Sequence, residues 1–127
     1  IMPSVTDQGI VGYMCDNGDK YPFLLKQMRI ITCSCTDMDK YFNNGNEVDD
    51  AWLIHPGYKV VLYRWTGFAG ANPATLDNSN GQYPKMFVLT QQKNRTKSFK
   101  AYYKGSDALP DITSSKMYET NISGPSD

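Results

Sequence analysis

The sequence predicts an all-β protein, an antiparallel sandwich, and three observations carry that prediction. Its apolar segments are short and rich in Val, Ile, Tyr and Phe, the residues that fit a pleated, half-buried surface. Clusters of Gly, Pro, Asn and Asp separate these segments at frequent intervals, as turns do. Nine tyrosines, ten glycines and seven prolines in 127 residues suit a loop-rich β domain, with a core large enough to stand without metal or disulfide support.

Residues 1–9 are polar and read as an N-terminal arm. Ile10-Val-Gly-Tyr-Met14 reads as a short strand, ended by the turn signal Asp16-Asn-Gly-Asp19. Tyr21-Pro-Phe-Leu-Leu25 and Met28-Arg-Ile-Ile-Thr-Cys33 follow; a helix over 23–31 competes with a strand there, without a cap or a 3.6-residue period to support it. Residues 36–50 form a polar loop, after which Ala51-Trp-Leu-Ile54 is a strand and His55-Pro-Gly57 a turn.

The segment Gly57-Tyr-Lys-Val-Val-Leu-Tyr-Arg-Trp-Thr-Gly-Phe-Ala-Gly70 is the strongest local pattern. Val60, Val61 and Leu62 suit a strand covered at least in part on both faces. Gly67 and Gly70 supply the backbone freedom of a tight fold-back, which places Tyr63 and Phe68 to pack on each other. Residues 71–82 read as a loop, Lys85–Thr90 as a strand, and Lys97–Tyr103 as another with Phe99 and Ala101 on one face and Ser98, Lys100 and Tyr102 on the other. The sandwich therefore spans 10–105, and the sparse apolar residues of 106–127 mark a C-terminal tail.

Composition also bounds function. Thirteen basic and thirteen acidic side chains balance, so no global field draws the chain to nucleic acid or an anionic membrane. No run approaches the roughly 20 apolar residues of a membrane helix, so membrane insertion is not expected. The N-terminal Ile1-Met-Pro-Ser-Val has neither the basic start nor the apolar core of a secretory signal, and an isoleucine ahead of Met2 lets the native chain begin earlier. Of the three cysteines, Cys33 and Cys35 share a strand face; one of them bridges to Cys15, or all three stay reduced. Asn94-Arg-Thr96 and Asn121-Ile-Ser123 are N-glycosylation tripeptides, consistent with a secreted or surface location. With one histidine, His55, and no phosphate-binding glycine loop, zinc-protease motif or nucleophile elbow, the sequence points away from an enzyme.

The spacing Tyr63-x-x-x-x-Phe68-x-Gly70 resembles the aromatic-hairpin signature of βγ-crystallin Greek-key motifs. Asp49-Asp-Ala-Trp-Leu-Ile-His-Pro-Gly-Tyr58 is similar to the end of one such motif leading into the next, and Ser98 matches the family's buried serine that pins the folded hairpin. The resemblance covers about 46–104; residues 10–54 would be the first Greek key, although Gly18, not an aromatic, stands five positions after Tyr13.

What the resemblance implies is an antiparallel Greek-key sandwich with N- and C-terminal arms, and a test for calcium. The family's ligand pattern falls on Lys93, Asn94, Lys97 and Ser98 in the second half, where the Lys97 ammonium repels a dication. In the first half it falls on Asn46, Glu47 and Asp50, an oxygen set for a single calcium ion, or else a solvated acidic loop. Otherwise no cofactor is implied. Trp65 and Arg64, on the hairpin, are the residue types of interface hot spots. The expectation is a non-enzymatic structural or interaction protein, extracellular or particle-associated, whose partners are protein subunits of an assembly or further copies of itself. The alternatives are a small secreted killer-toxin-like or inhibitor protein and a calcium-binding crystallin-like protein.

Overall fold

The computed structural model describes residues 9–15, 28–42, 49–91, 93–112 and 121–122. Strand β4 (Tyr58–Tyr63) shows why these sequences become strands: Tyr58, Val60 and Leu62 point inward and are buried, while Lys59, Val61 and Tyr63 are half-covered on the other face. It lies between β5 (Ala74–Asp77) and β7 (Ser98–Tyr103) in a three-stranded antiparallel sheet. The second sheet is five-stranded and also antiparallel. Its order is β6 (Lys85–Val88), β3 (Ala51–Ile54), β1 (Gly12–Cys15), β2 (Met28–Ile31) and β8 (Asn121–Ile122).

The two sheets close on one core, so the chain is an all-β sandwich. At its centre the Trp52 ring meets the Phe99 ring edge-on, centroids 5.1 Å apart at 76°. Met14, Ile54, Val60 and Leu62 fill in around them, all fully buried, each contributing on the order of 1.5–3 kcal/mol by leaving water. No helix among the described residues is long and apolar enough to cross a membrane.

The two halves of the chain repeat each other in register. Cys15 stands opposite Ala51 as Tyr63 stands opposite Ser98. Asp50 N–H donates to Cys15 O (2.8 Å) as Lys97 N–H donates to Tyr63 O (3.0 Å). Each half also sends its third segment across to the other sheet. Strand β6 pairs with β3, placing Phe87 opposite Trp52, while Cys35 exchanges two 2.9 Å backbone bonds with Phe99. Leu89 N–H then donates to Asp50 O and Met38 N–H to Lys97 O, both at 2.9 Å. Trp52 and Phe99, which meet at the centre, occupy equivalent places in this repeat, as do Asp49 and Thr96.

Several elements differ from the sequence expectation. The loop expected over 71–82 contains β5, which buries only Leu76 and owes its strand geometry to the β4 register rather than to its own composition. The polar loop over 36–50 holds a one-turn helix, α1 (Met38–Tyr41), capped by Asp37, whose carboxylate accepts from Asp39 N–H at 3.1 Å. Of the helix considered over 23–31, residues 28–31 are strand and 23–27 lie outside the described residues. The arm over 1–9 is described only at Gly9.

The boundary at 105 moves too. Ile112 is 5% exposed within the core and Leu109 packs against it. Ser34 holds this segment: its hydroxyl donates to Leu109 O (2.8 Å) and accepts from Ala101 N–H (3.0 Å), its N–H donates to Pro110 O (2.9 Å), and Ile112 N–H donates to its carbonyl (2.8 Å). Two apolar side chains thus do the work that low apolar density had hidden.

Candidate functional site

The fold-back after β4 is the best-defined surface feature. Tyr63 and Phe68 pack edge to face, centroids 5.8 Å apart, and Lys100 Nζ lies 4.7 Å from the Phe68 ring centroid. Phe68 adopts φ 59°, a left-handed conformation disfavoured for side chains by about 1–2 kcal/mol, so something must hold it. Ser98 does. Phe68 N–H donates to Ser98 Oγ (3.0 Å), and that hydroxyl donates to Trp65 O (2.5 Å). Ser98 has no solvent exposure although it sits on the outer face of its sheet, because the hairpin covers it.

Gly67 N–H donates to Thr36 O (2.9 Å), and Gly70 takes φ 121°, where a Cβ would lie 3.2 Å from Arg64 Cβ. Removing the hydroxyl in Ser98→Ala leaves the Phe68 N–H without its partner and takes from Trp65 O a bond that crosses 33 residues of chain. The expected loss is about 2 kcal/mol in urea unfolding, with faster proteolysis within 64–70 than elsewhere.

The locked hairpin presents Trp65 and Arg64. Trp65 is 51% exposed, and the Arg64 guanidinium carbon lies 4.0 Å from its ring centroid, a cation–π stack. Both residues expected at an interface are therefore adjacent and pre-oriented at the surface.

Beneath the opposite half lies a polar arrangement that sequence reasoning passed over as part of a polar loop. Asp49 is completely buried; its Oδ2 accepts from Trp52 Nε1 (3.2 Å) and from the Thr96 hydroxyl, while Oδ1 has no hydrogen-bond partner. Burial first, and the neighbouring Asp50 charge to a lesser degree, push its carboxyl up to about 7 against the two donated bonds. The one sequence signal was an aspartate three residues ahead of a core tryptophan. Asn94 N–H donates to the Asp49 carbonyl (3.1 Å), so this residue ties the two halves together through both backbone and side chain.

The calcium positions divide. Asn46 and Glu47 lie outside the described residues, and Asp50 is buried, its N–H committed to Cys15 O. In the second half Lys97 Nζ pairs with Asp39 at 3.0 Å. Among the described residues no group of three or more His, Cys, Asp or Glu side chains converges as metal ligands. Cys15, Cys33 and Cys35 are buried, and no disulfide joins Cys15 to either of the others. Burial pushes Cys15 and Cys35 up to about 12, the reverse of nucleophile activation. His55 sits against Tyr13, with Nδ1 3.1 Å from Ile10 O, a structural contact. Asn94 occupies a half-exposed turn at φ 57°, whereas Asn121 lies on β8 with its side chain outside the described residues.

Compared with models of protein families, with curated proteins and with solved structures, the chain matches none.

Proposed function

We propose that this chain is a non-enzymatic interaction module, a βγ-crystallin-like pair of Greek keys that works as a subunit of a larger assembly or as a homo-oligomer, outside the cell or on a particle. The exposed Trp65, stacked against a half-buried Arg64 on a hairpin locked by Ser98, carries the reading. A rigid tryptophan loses little entropy on docking, and the guanidinium beside it is already in place, which is what a binding hot spot requires. The Greek-key part of the reading draws on the strand order. In each half the first strand lies between the second and the last, and the third segment crosses to the other sheet. The half-exposed Asn94 turn is compatible with a glycosylated, extracellular setting.

Sedimentation velocity at rising concentration tests the homo-oligomer form directly. The chain is expected to associate, and Arg64→Ala with Trp65→Ala to weaken that association at least tenfold. The melting transition should barely move, because surface substitutions away from a cap or network change stability by about 0.5 kcal/mol or less. A chain that stays monomeric throughout, or a double variant that associates as well as the original, removes the self-assembly reading.

A further inference from the structure

A second surface feature owes nothing to the hairpin. On the outer face of the three-stranded sheet, a groove of about 560 Å³ is lined by Lys59, Ser79, Asn80, Gly81, Tyr102 and Lys104, among others. We propose that this groove binds an anionic saccharide, a sugar bearing a sulfate or phosphate ester.

The charged side chains that line the groove are of one sign. Two ammonium groups line it and no carboxylate does. The aspartate directly across from Lys59 in the β4–β5 register, Asp77, is turned into its own tight turn instead: its Oδ1 accepts from Ser79 N–H (2.9 Å) and from the Ser79 hydroxyl (2.6 Å). The ammonium groups rest beside aromatic rings, Lys59 Nζ 4.8 Å from the Tyr102 centroid and Lys104 Nζ 5.4 Å from that of Tyr103.

The walls are built rather than incidental. Asn78 is 6% exposed and donates from Nδ2 to Ile54 O and to Tyr83 O, both at 2.9 Å. Its backbone carbonyl accepts from Gly57 N–H (2.9 Å) and Gly81 N–H (3.1 Å), so the 79–81 turn is fixed to the body of the sandwich. Gly81 packs so tightly on Asn78 that a Cβ there would fall 1.8 Å from its Oδ1. On the far side Lys104 takes a left-handed φ of 46°, with its N–H donating to Gly57 O (3.0 Å).

Size and polarity select the ligand class. The volume lies within the roughly 300–1,000 Å³ range of small-molecule sites and far exceeds a single tetrahedral anion. Hydroxyl, amide and phenol groups beside the cations suit a hydroxylated body with one anionic ester.

The test is a titration of the full chain followed by ¹H–¹⁵N NMR. Galactose 6-sulfate and glucose 6-phosphate are the two ester arms; galactose, glucose and inorganic sulfate at matched ionic strength are the controls. At least one ester is expected to give saturable shifts at residues 79–81 and 102–105, and the stronger arm names the source of the ester. Lys59→Gln and Lys104→Gln, each partly or fully exposed, should weaken binding several-fold singly and at least tenfold together, with the remaining resonances in place. The proposal is overturned by silence from both esters, by equal shifts from inorganic sulfate or the uncharged sugars, or by undiminished binding in the double variant.

Discussion

Ending the chain after Gly105 is expected to abolish its cooperative unfolding transition. The truncation removes Ile112 and Leu109 from the core, worth on the order of 1.5–3 kcal/mol each when fully buried. It also strips Ser34 of three partners and Ala101 O of the bond it accepts from Leu109 N–H at 2.7 Å, at about 1 kcal/mol apiece. The sum, about 6 kcal/mol or more, is comparable with the whole stability of a domain this size. Circular dichroism and urea titration of the truncated chain read it directly. Ile112→Ala, which keeps the backbone bonds, is expected to cost about 2–4 kcal/mol while preserving a sharp transition. A truncated chain with an unchanged midpoint would show that residues 106–127 are a dispensable tail after all.

Stability is also expected to fall by about 4 kcal/mol as pH rises from 4 to 8, with Asp49 as the source. Its carboxyl is pushed to about 7 in the folded chain, against 3.8 as the ordinary value. Between those two values the native state holds a proton that the unfolded chain has released. Its contribution is therefore complete below about pH 4, declines as pH rises, and is lost once pH passes about 7. Three units at about 1.4 kcal/mol each set the magnitude.

Asp49→Asn retains an oxygen for Trp52 Nε1 and the Thr96 hydroxyl but cannot ionise. Its urea midpoint is expected to be nearly level over the same range. The variant should be less stable than the original at pH 4, where its amide N–H₂ takes the place of the unpartnered Oδ1, and more stable at pH 8. If the variant keeps the full pH slope, the titrating group is a different one.

The strands most legible in the sequence were those that make their own case locally. Strand β4 and the following hairpin were visible because a β-branched run, two glycines and an aromatic pair all demand the same backbone. The alternation of β7 likewise separated its two faces, and the structure turns the one with Phe99 and Ala101 to the core. Ser98 became legible only through a resemblance, since its partners lie 30 and 33 residues away. Strand β5 was missed because an edge strand with a single buried side chain has almost no pattern of its own. Asp49 was missed because nothing local separates a buried aspartate from a solvated one; only Trp52 and Thr96, arriving from two directions, make the difference.

By itself, then, the sequence determined an all-β chain, neutral overall, with a folded hairpin that carries a tryptophan and an arginine. These follow from side-chain periodicity, backbone freedom at glycine and net charge, which are properties of neighbouring residues. Tertiary structure alone decided that β6 crosses to the other sheet, that Ile112 belongs to the core, that Asp49 is dry, and that Lys59, Lys104 and the 79–81 turn share one groove. The reason is physical: burial and field at each of these places are set by groups far away in the chain, and their registers exist only once the sheets have closed.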